Sequence, residues 1–168
     1  MKVKRQRGLV LLLSLVLTLM LGMLGVSVMG SAAQQERMAR NLLSSLLVFE
    51  HAQQVLLLGE ANAQEQAWPP CSFCLPPPEA EHVRAAGVYA GAGASSGLAW
   101  QAGEGGFLLI QFLGQSSLAR LMPPEQDANL YRVTAVHRHG AARSVLESVV
   151  AQPVGGGPWQ RILWRQRH

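Results

Sequence analysis

The chain has 168 residues and a formal charge of +4, yet Lys2, Lys4, Arg5 and Arg7 supply four of its 14 basic groups, and the remainder sets ten arginines against ten acids with no lysine. Most of the basicity is therefore a topology signal at one end, and the neutral remainder argues against a polyanion-binding protein. Setting aside about 30 residues of leader and apolar helix leaves roughly 135, the size of one domain with a single core, which excludes a multidomain organisation.

From Leu9 to Met29 no residue is charged, whereas Glu36, Arg37 and Arg40 follow soon after. A helix of about 21 residues covers roughly the 30 Å hydrocarbon core of a bilayer, so the run can span a membrane. Basic residues clustered only before it place the N-terminus in the cytoplasm and the rest of the chain outside. Val28-Met29-Gly30 and Gly30-Ser31-Ala32 resemble signal-cleavage sites. The apolar run exceeds a signal's usual core, however, and an anchor is the preferred reading. Ser14, Thr18 and Gly22 recur every four residues, with Gly25 nearby, a spacing that lets helices approach closely, although membrane helices carry such residues in any case.

The helical pattern continues from Gln34 to Leu58. Met38, Leu42 and Leu46, with Leu43 and Leu47, then Phe49 and Leu56, form the expected packing stripe, and Glu36 and Arg40 form an i,i+4 pair in the favourable order. Gly59 reads as the helix stop. A transmembrane segment over residues 9–30 and an amphipathic continuation over 31–59 thus join into one rod of about 50 residues, roughly 75 Å long.

Residues 60–106 read as a Pro- and Gly-rich connection. Prolines on both sides of Cys71-Ser-Phe-Cys74 forbid regular helix or central strand there, and Gly87 to Gly106 reads as a loop with a short strand around Val88 to Ala90. Residues 107–168 read as an antiparallel sheet region. Strands are expected at Phe107–Leu113, Leu130–Arg138, Ala142–Val150 and Trp159–Trp164, with a hairpin at His139-Gly140. The fold class is α+β, a long N-terminal helix packed on a small antiparallel sheet of three or four strands.

Charge is unevenly divided. Leu130 to His168 holds six arginines against the single acid Glu147, whereas Ser31 to Asn129 holds nine acids and four arginines. Such a split points to two parts that pack together or meet complementary neighbours. No nucleic-acid partner is expected, because only Trp159 and Trp164 could interleave with the basic residues.

Few residues suggest chemistry. Gly93-Ala94-Ser95-Ser96-Gly97 matches the G-x-S-x-G nucleophile pattern without its strand–turn–helix setting, and so reads as a small-residue loop. Cys71 and Cys74 form a C-x-x-C. In an exported domain a local disulfide is the main reading, with redox activity, or metal binding through His51 or His82, as alternatives. His137 and His139 share a strand face and read as exposed polar residues. No phosphate loop, paired acids or H-E-x-x-H occurs, and neither catalytic residues, metal nor cofactor is expected.

Basic residues, Arg7-Gly8, an uninterrupted apolar helix, an amphipathic continuation and a small β domain together resemble type IV pilins and pseudopilins. Arg-Gly-Leu-Val-Leu-Leu-Leu-Ser-Leu-Val-Leu-Thr-Leu-Met at 7–20 and Glu36-Arg37-Met38-Ala39-Arg40-Asn41 look like the N-terminus of PilX-type minor pilins. Tyr131-Arg132-Val133-Thr134-Ala135 with Val145-Leu146-Glu147-Ser148-Val149-Val150 looks like their C-terminal hairpin, and Ile162-Leu163-Trp164-Arg165 like their closing strand. The likeness covers both ends and is absent from roughly 60 to 128.

The resemblance implies a pilin-like fold, a leader peptide over residues 1–8, cleavage between Gly8 and Leu9 by the prepilin peptidase, and N-methylation of Leu9. It implies a subunit held in the inner membrane with a periplasmic domain and then carried into an extracellular pilus. Other minor and major pilins and the inner-membrane assembly platform are the implied partners. Leu13 departs from major pilins, which usually carry Glu there, and Gly30 stands where they carry a helix-breaking Pro. The expected function is initiation, tip formation or assembly of the pilus. A type II secretion pseudopilin is one alternative, and a membrane-anchored periplasmic thiol-disulfide protein is another.

Overall fold

The computed structural model describes residues 6–123 and 126–167. Lys2, Lys4 and Arg5 of the basic leader lie outside the described residues. The chain divides into two compact units, one ending at Leu43 and the other running from Ser44 to His168. Helix α1, Gln6–Glu65, crosses that division without a break. It contains no proline, and it passes straight through Gly30. Leucine, its commonest residue, loses little freedom in a helix.

In the first unit α1 stands alone, with Leu9 to Leu24 exposed and Met38, Leu42 and Leu43 exposed further along. In the second unit its last part packs on a sheet through Val48, Ala52, Val55, Leu56 and Ala63, all buried, with Phe49 partly buried beside them. The stripe expected from sequence is thus only half correct. Leu46 and Leu47 remain 56 % and 48 % exposed, and the buried face is set by small residues that let the helix come close to the sheet.

Gly59 explains both that closeness and a second difference. It does not end the helix, which continues to Glu65. A Cβ at position 59 would lie 2.5 Å from Val133 Cγ1, inside van der Waals contact, so the glycine is there for close approach rather than termination.

The sheet has six strands: β1 (Gly87–Val88), β2 (Ala99–Gly103), β3 (Gly106–Ser116), β4 (Ala128–His139), β5 (Ala142–Pro153) and β6 (Gln160–Arg167). All neighbours are antiparallel and their order follows the chain, giving a simple meander. β2 lies within the 60–106 region read as a connection, so the sheet begins before residue 107. Ala-Trp-Gln-Ala-Gly offers almost no β-branched signal. It is held by pairing with β3 and by Trp100, only 2 % exposed. Between β4 and β5, Gly140 takes φ 58° at the first position of a two-residue loop, the conformation a type II′ hairpin needs there.

Both faces of the sheet are covered. Leu108, Ile110, Tyr131, Val133, Ala135, Leu146 and Val150 meet α1. Leu109, Val136, Val145 and Trp100 face the other way and are covered by Ala80 and Val83, from a 3-10 turn at Pro78–Glu81 and the residues after it. The strap leading into that turn contacts the sheet through an isolated bridge between Pro70 and Phe112 and a bond from the Cys71 amide to Phe112 O at 3.0 Å.

Candidate functional site

Two surfaces carry the unusual chemistry. The first is α1 in its first unit, a helix apolar and long enough to cross a membrane with none of its most apolar stretch buried. Two of its hydroxyls bond to the helix's own carbonyl groups. Ser14 donates to Leu11 O at 2.9 Å, and Thr18 donates to Ser14 O and Leu15 O at 2.9 Å, so neither hydroxyl needs water. No other group comes within 4 Å of a Cβ placed at Gly8, Gly22, Gly25 or Gly30, leaving shallow gaps where a neighbouring helix could lie close. Leu9 and Leu13 are 71 % and 61 % exposed. Such a surface is suited to lipid or to the apolar face of another helix.

The second is the outer sheet face and its strap. All six arginines of the C-terminal section have partners here or on α1. Arg161 donates from Nε to Glu60 Oε1 at 2.8 Å, tying β6 to the helix, and this carboxylate raises its pKa above the usual arginine value. Arg165 donates to Glu147 Oε1 at 2.8 Å, and Arg132 Nε stands 3.3 Å from the same oxygen, in ion-pair contact without the alignment of a hydrogen bond. Burial pulls Arg132 below its ordinary value, against the attraction of Glu147. Arg132 also donates to Cys74 O at 2.6 Å, Arg167 to Pro77 O at 2.9 Å and Gln111 to Leu75 O at 3.0 Å. Arg138 and Arg143 donate to Glu81 O at 3.0 and 3.1 Å. The charge split read from sequence is therefore a clasp, with basic strands holding the strap by its carbonyl groups and by Glu81.

Cys71 and Cys74 are joined in a disulfide with Cα atoms 5.3 Å apart. They lie on the strap among prolines, and no helix starts at Cys71, so the dipole that lowers a redox cysteine's pKa is missing at this place.

The G-x-S-x-G loop has a structural task. Ser95 donates to Tyr89 O at 3.3 Å, so its hydroxyl is engaged by backbone. Ser96 gives both its amide, at 2.9 Å, and its hydroxyl to the Glu79 carboxylate, which also accepts from Trp100 Nε1 at 3.2 Å. Burial alone would raise the Glu79 pKa, but the bonds from Ser96 and Trp100 outweigh it and hold the carboxyl below its ordinary value.

His137 is nearly buried, its ring 4.8 Å from that of His51 and its Nδ1 against Gly105 O, whereas His139 is exposed at the strand end. The expectation that both are exposed thus fails for His137, because its strand face turns toward α1. Among the described residues no group of three or more His, Cys, Asp or Glu side chains could hold a metal ion.

Sequence reasoning missed Glu79, Glu60 and Glu147 as anchoring acids. Only the uneven charge distribution hinted at them. Their partners lie 17, 101 and 18 residues away, beyond the reach of any local pattern. No family model, curated protein or solved structure shows a match to this chain.

Proposed function

We propose that this chain is a non-enzymatic minor pilin of the PilX type that acts in initiation, at the tip or in assembly of a type IV pilus. One observation carries the reading. A single unbroken helix is bare and apolar from Leu9 to Leu24, while from Val48 to Ala63 it supplies the core of an antiparallel sheet domain. A helix that only anchors a domain needs no such continuity, whereas one that passes from lipid to a helical assembly uses both parts.

In this reading the prepilin peptidase cuts between Gly8 and Leu9, and Leu9 becomes the N-methylated terminus. The apolar helix leaves the inner membrane by exchanging lipid for the helices of other minor and major pilins. The β domain, first periplasmic, then becomes part of an extracellular pilus. At Leu13 the subunit lacks the carboxylate that would pair with the terminal amine of a subunit ahead. An unpaired carboxylate in apolar surroundings is costly, so leucine suits a position with nothing ahead of it.

The type II secretion pseudopilin alternative rests on the same helix. The glutamate-lacking tip pseudopilin usually carries a larger inserted domain than roughly 135 residues hold. The thiol-disulfide alternative rests on Cys71 and Cys74 and requires the pair to cycle with reductant.

Mass spectrometry of the mature N-terminus, in cells with and without prepilin peptidase, tests the class. The expected product begins at N-methyl-Leu9 and forms only when the peptidase is present. A chain that keeps Met1, or begins at Ser31 or Ala33, overturns the reading. Piliation unchanged by deletion of the gene removes the assembly role, and thiol trapping that shows turnover favours the thiol-disulfide protein.

A further inference from the structure

We propose that the cleft between the 3-10 turn and the β4–β5 hairpin binds the carboxylate groups of an acidic peptide segment. Arg138 and Arg143 are direct cross-strand partners at the end of that hairpin. Like charges placed opposite one another destabilise a sheet unless an anion compensates them. Glu81 supplies one carboxylate, which Arg143 Nη2 engages at 2.6 Å, and Arg138 receives only the Glu81 carbonyl. Arg84, exposed on the same cleft, has no hydrogen-bond or ion-pair partner among the described residues. Of the three guanidinium groups on the cleft only that of Arg143 meets a carboxylate, and the fork of Arg84 is open.

The shape favours a chain over a small ion. The cleft encloses about 550 Å³ and is walled by Ala86, Val88 and Tyr89. A second opening of about 540 Å³ shares Arg84 and Arg138 with it. A tetrahedral or planar ion would fill a small part of that space, whereas an extended segment could lay acidic side chains on the arginines and its remaining surface on the apolar wall. Guanidinium forks match carboxylates in geometry as well as charge. The inference does not depend on the pilin reading, since it needs only the sheet domain.

Fluorescence anisotropy of a labelled oligoglutamate peptide, with the full chain in detergent micelles, tests it. The peptide is expected to bind, to lose affinity about fivefold or more with Arg84→Ala and further with Arg84→Glu, and to be released at roughly 1 M salt. Arg120→Ala, an exposed arginine outside the cleft, should leave binding unchanged. Unaltered thermal melts of the Arg84 variants separate lost binding from lost fold, since Arg84 has no hydrogen-bond or ion-pair partner among the described residues. Absence of peptide binding, equal loss in the Arg84→Ala and Arg120→Ala proteins, or displacement by inorganic phosphate at concentrations as low as those of unlabelled peptide each overturn the proposal.

Discussion

The Glu79 carboxylate and Ser96 are joined twice, through the Ser96 amide at 2.9 Å and through its hydroxyl. Glu79 is only 1 % exposed, and no arginine or histidine pairs with it among the described residues, so three neutral donors carry its charge. This bond set ties the 3-10 turn to the glycine-rich loop and, through Trp100, to β2. It turns a segment with almost no local preference into a fixed cover for the outer sheet face.

Acid should loosen this cover. The Glu79 pKa is lowered in the folded protein, so folding is favoured fully above the unfolded carboxyl value of about 4.3. As pH falls the unfolded chain protonates first, and the contribution disappears as pH passes through the folded value. Glu79→Gln leaves a donor facing donors and should cost about 1 to 3 kcal/mol at neutral pH, with a smaller further loss on acidification than the parent protein shows. Thermal melts of both proteins from neutral pH to about pH 3 measure the two slopes. Parallel slopes would sink this account.

Gly59 gives a prediction that opposes helix propensity. Alanine is the better helix former by about 1 kcal/mol. Its Cβ would press against Val133 Cγ1 at 2.5 Å in a layer with no slack, and overpacking of that kind costs about 1 to 3 kcal/mol. Gly59→Ala should therefore destabilise the domain. Combining it with Val133→Ala should cost less than the sum of the two single changes, because the second removes the atom that the first strikes. A double-mutant cycle by chemical denaturation reads the difference.

Why some features were legible in sequence and others were not follows from where their cause lies. α1 and the strands β3, β4 and β5 advertise themselves in runs of apolar or β-branched residues. β2 depends on partners, since Ala99 to Gly103 becomes a strand only because β3 and the cover hold Trp100. Gly59 looks the same in sequence whether it stops a helix or lets one approach a sheet. The packing stripe misled for a related reason. Leucines mark an apolar surface without saying what covers it, while Ala52, Gly59 and Ala63 mark the side where the sheet comes near. For the apolar run from Leu9, local composition already specifies an environment, and composition is what sequence shows best.

Glu147 and Arg165 test how burial weights an ion pair. Glu147 is 1 % exposed and faces two arginines, whereas the Arg165 side chain is 48 % exposed. Removing the buried acid by Glu147→Ala leaves Arg132, itself mostly buried, without its counter-charge and should cost about 3 to 5 kcal/mol. Arg165→Ala removes the hydrogen bond to this carboxylate but leaves Arg132 as its counter-charge, and should cost less than Glu147→Ala, about 1.5 to 3 kcal/mol. Equal losses in denaturant melts would mean that Arg132 does not hold the carboxylate.

Leu13 offers the sharpest test of the proposed assembly role. Its side chain is 61 % exposed, and no residue from Leu9 to Met29 carries a charge, so Leu13→Glu places a carboxylate on an otherwise apolar stretch of helix. Near the end of a membrane helix such a group costs less than the roughly 2.5 to 3.5 kcal/mol of a central charge, and the variant should still insert. In the pilus the new carboxylate could meet the terminal amine of a subunit ahead, which a tip position does not provide. The variant is therefore expected to enter internal positions and to increase in copy number relative to the major pilin. Quantitative mass spectrometry of sheared pili, with membrane fractions as the control for insertion, reads that ratio. An inserted variant whose copy number stays at the parent level would show that Leu13 does not set position, and would leave its leucine as one more apolar contact of α1.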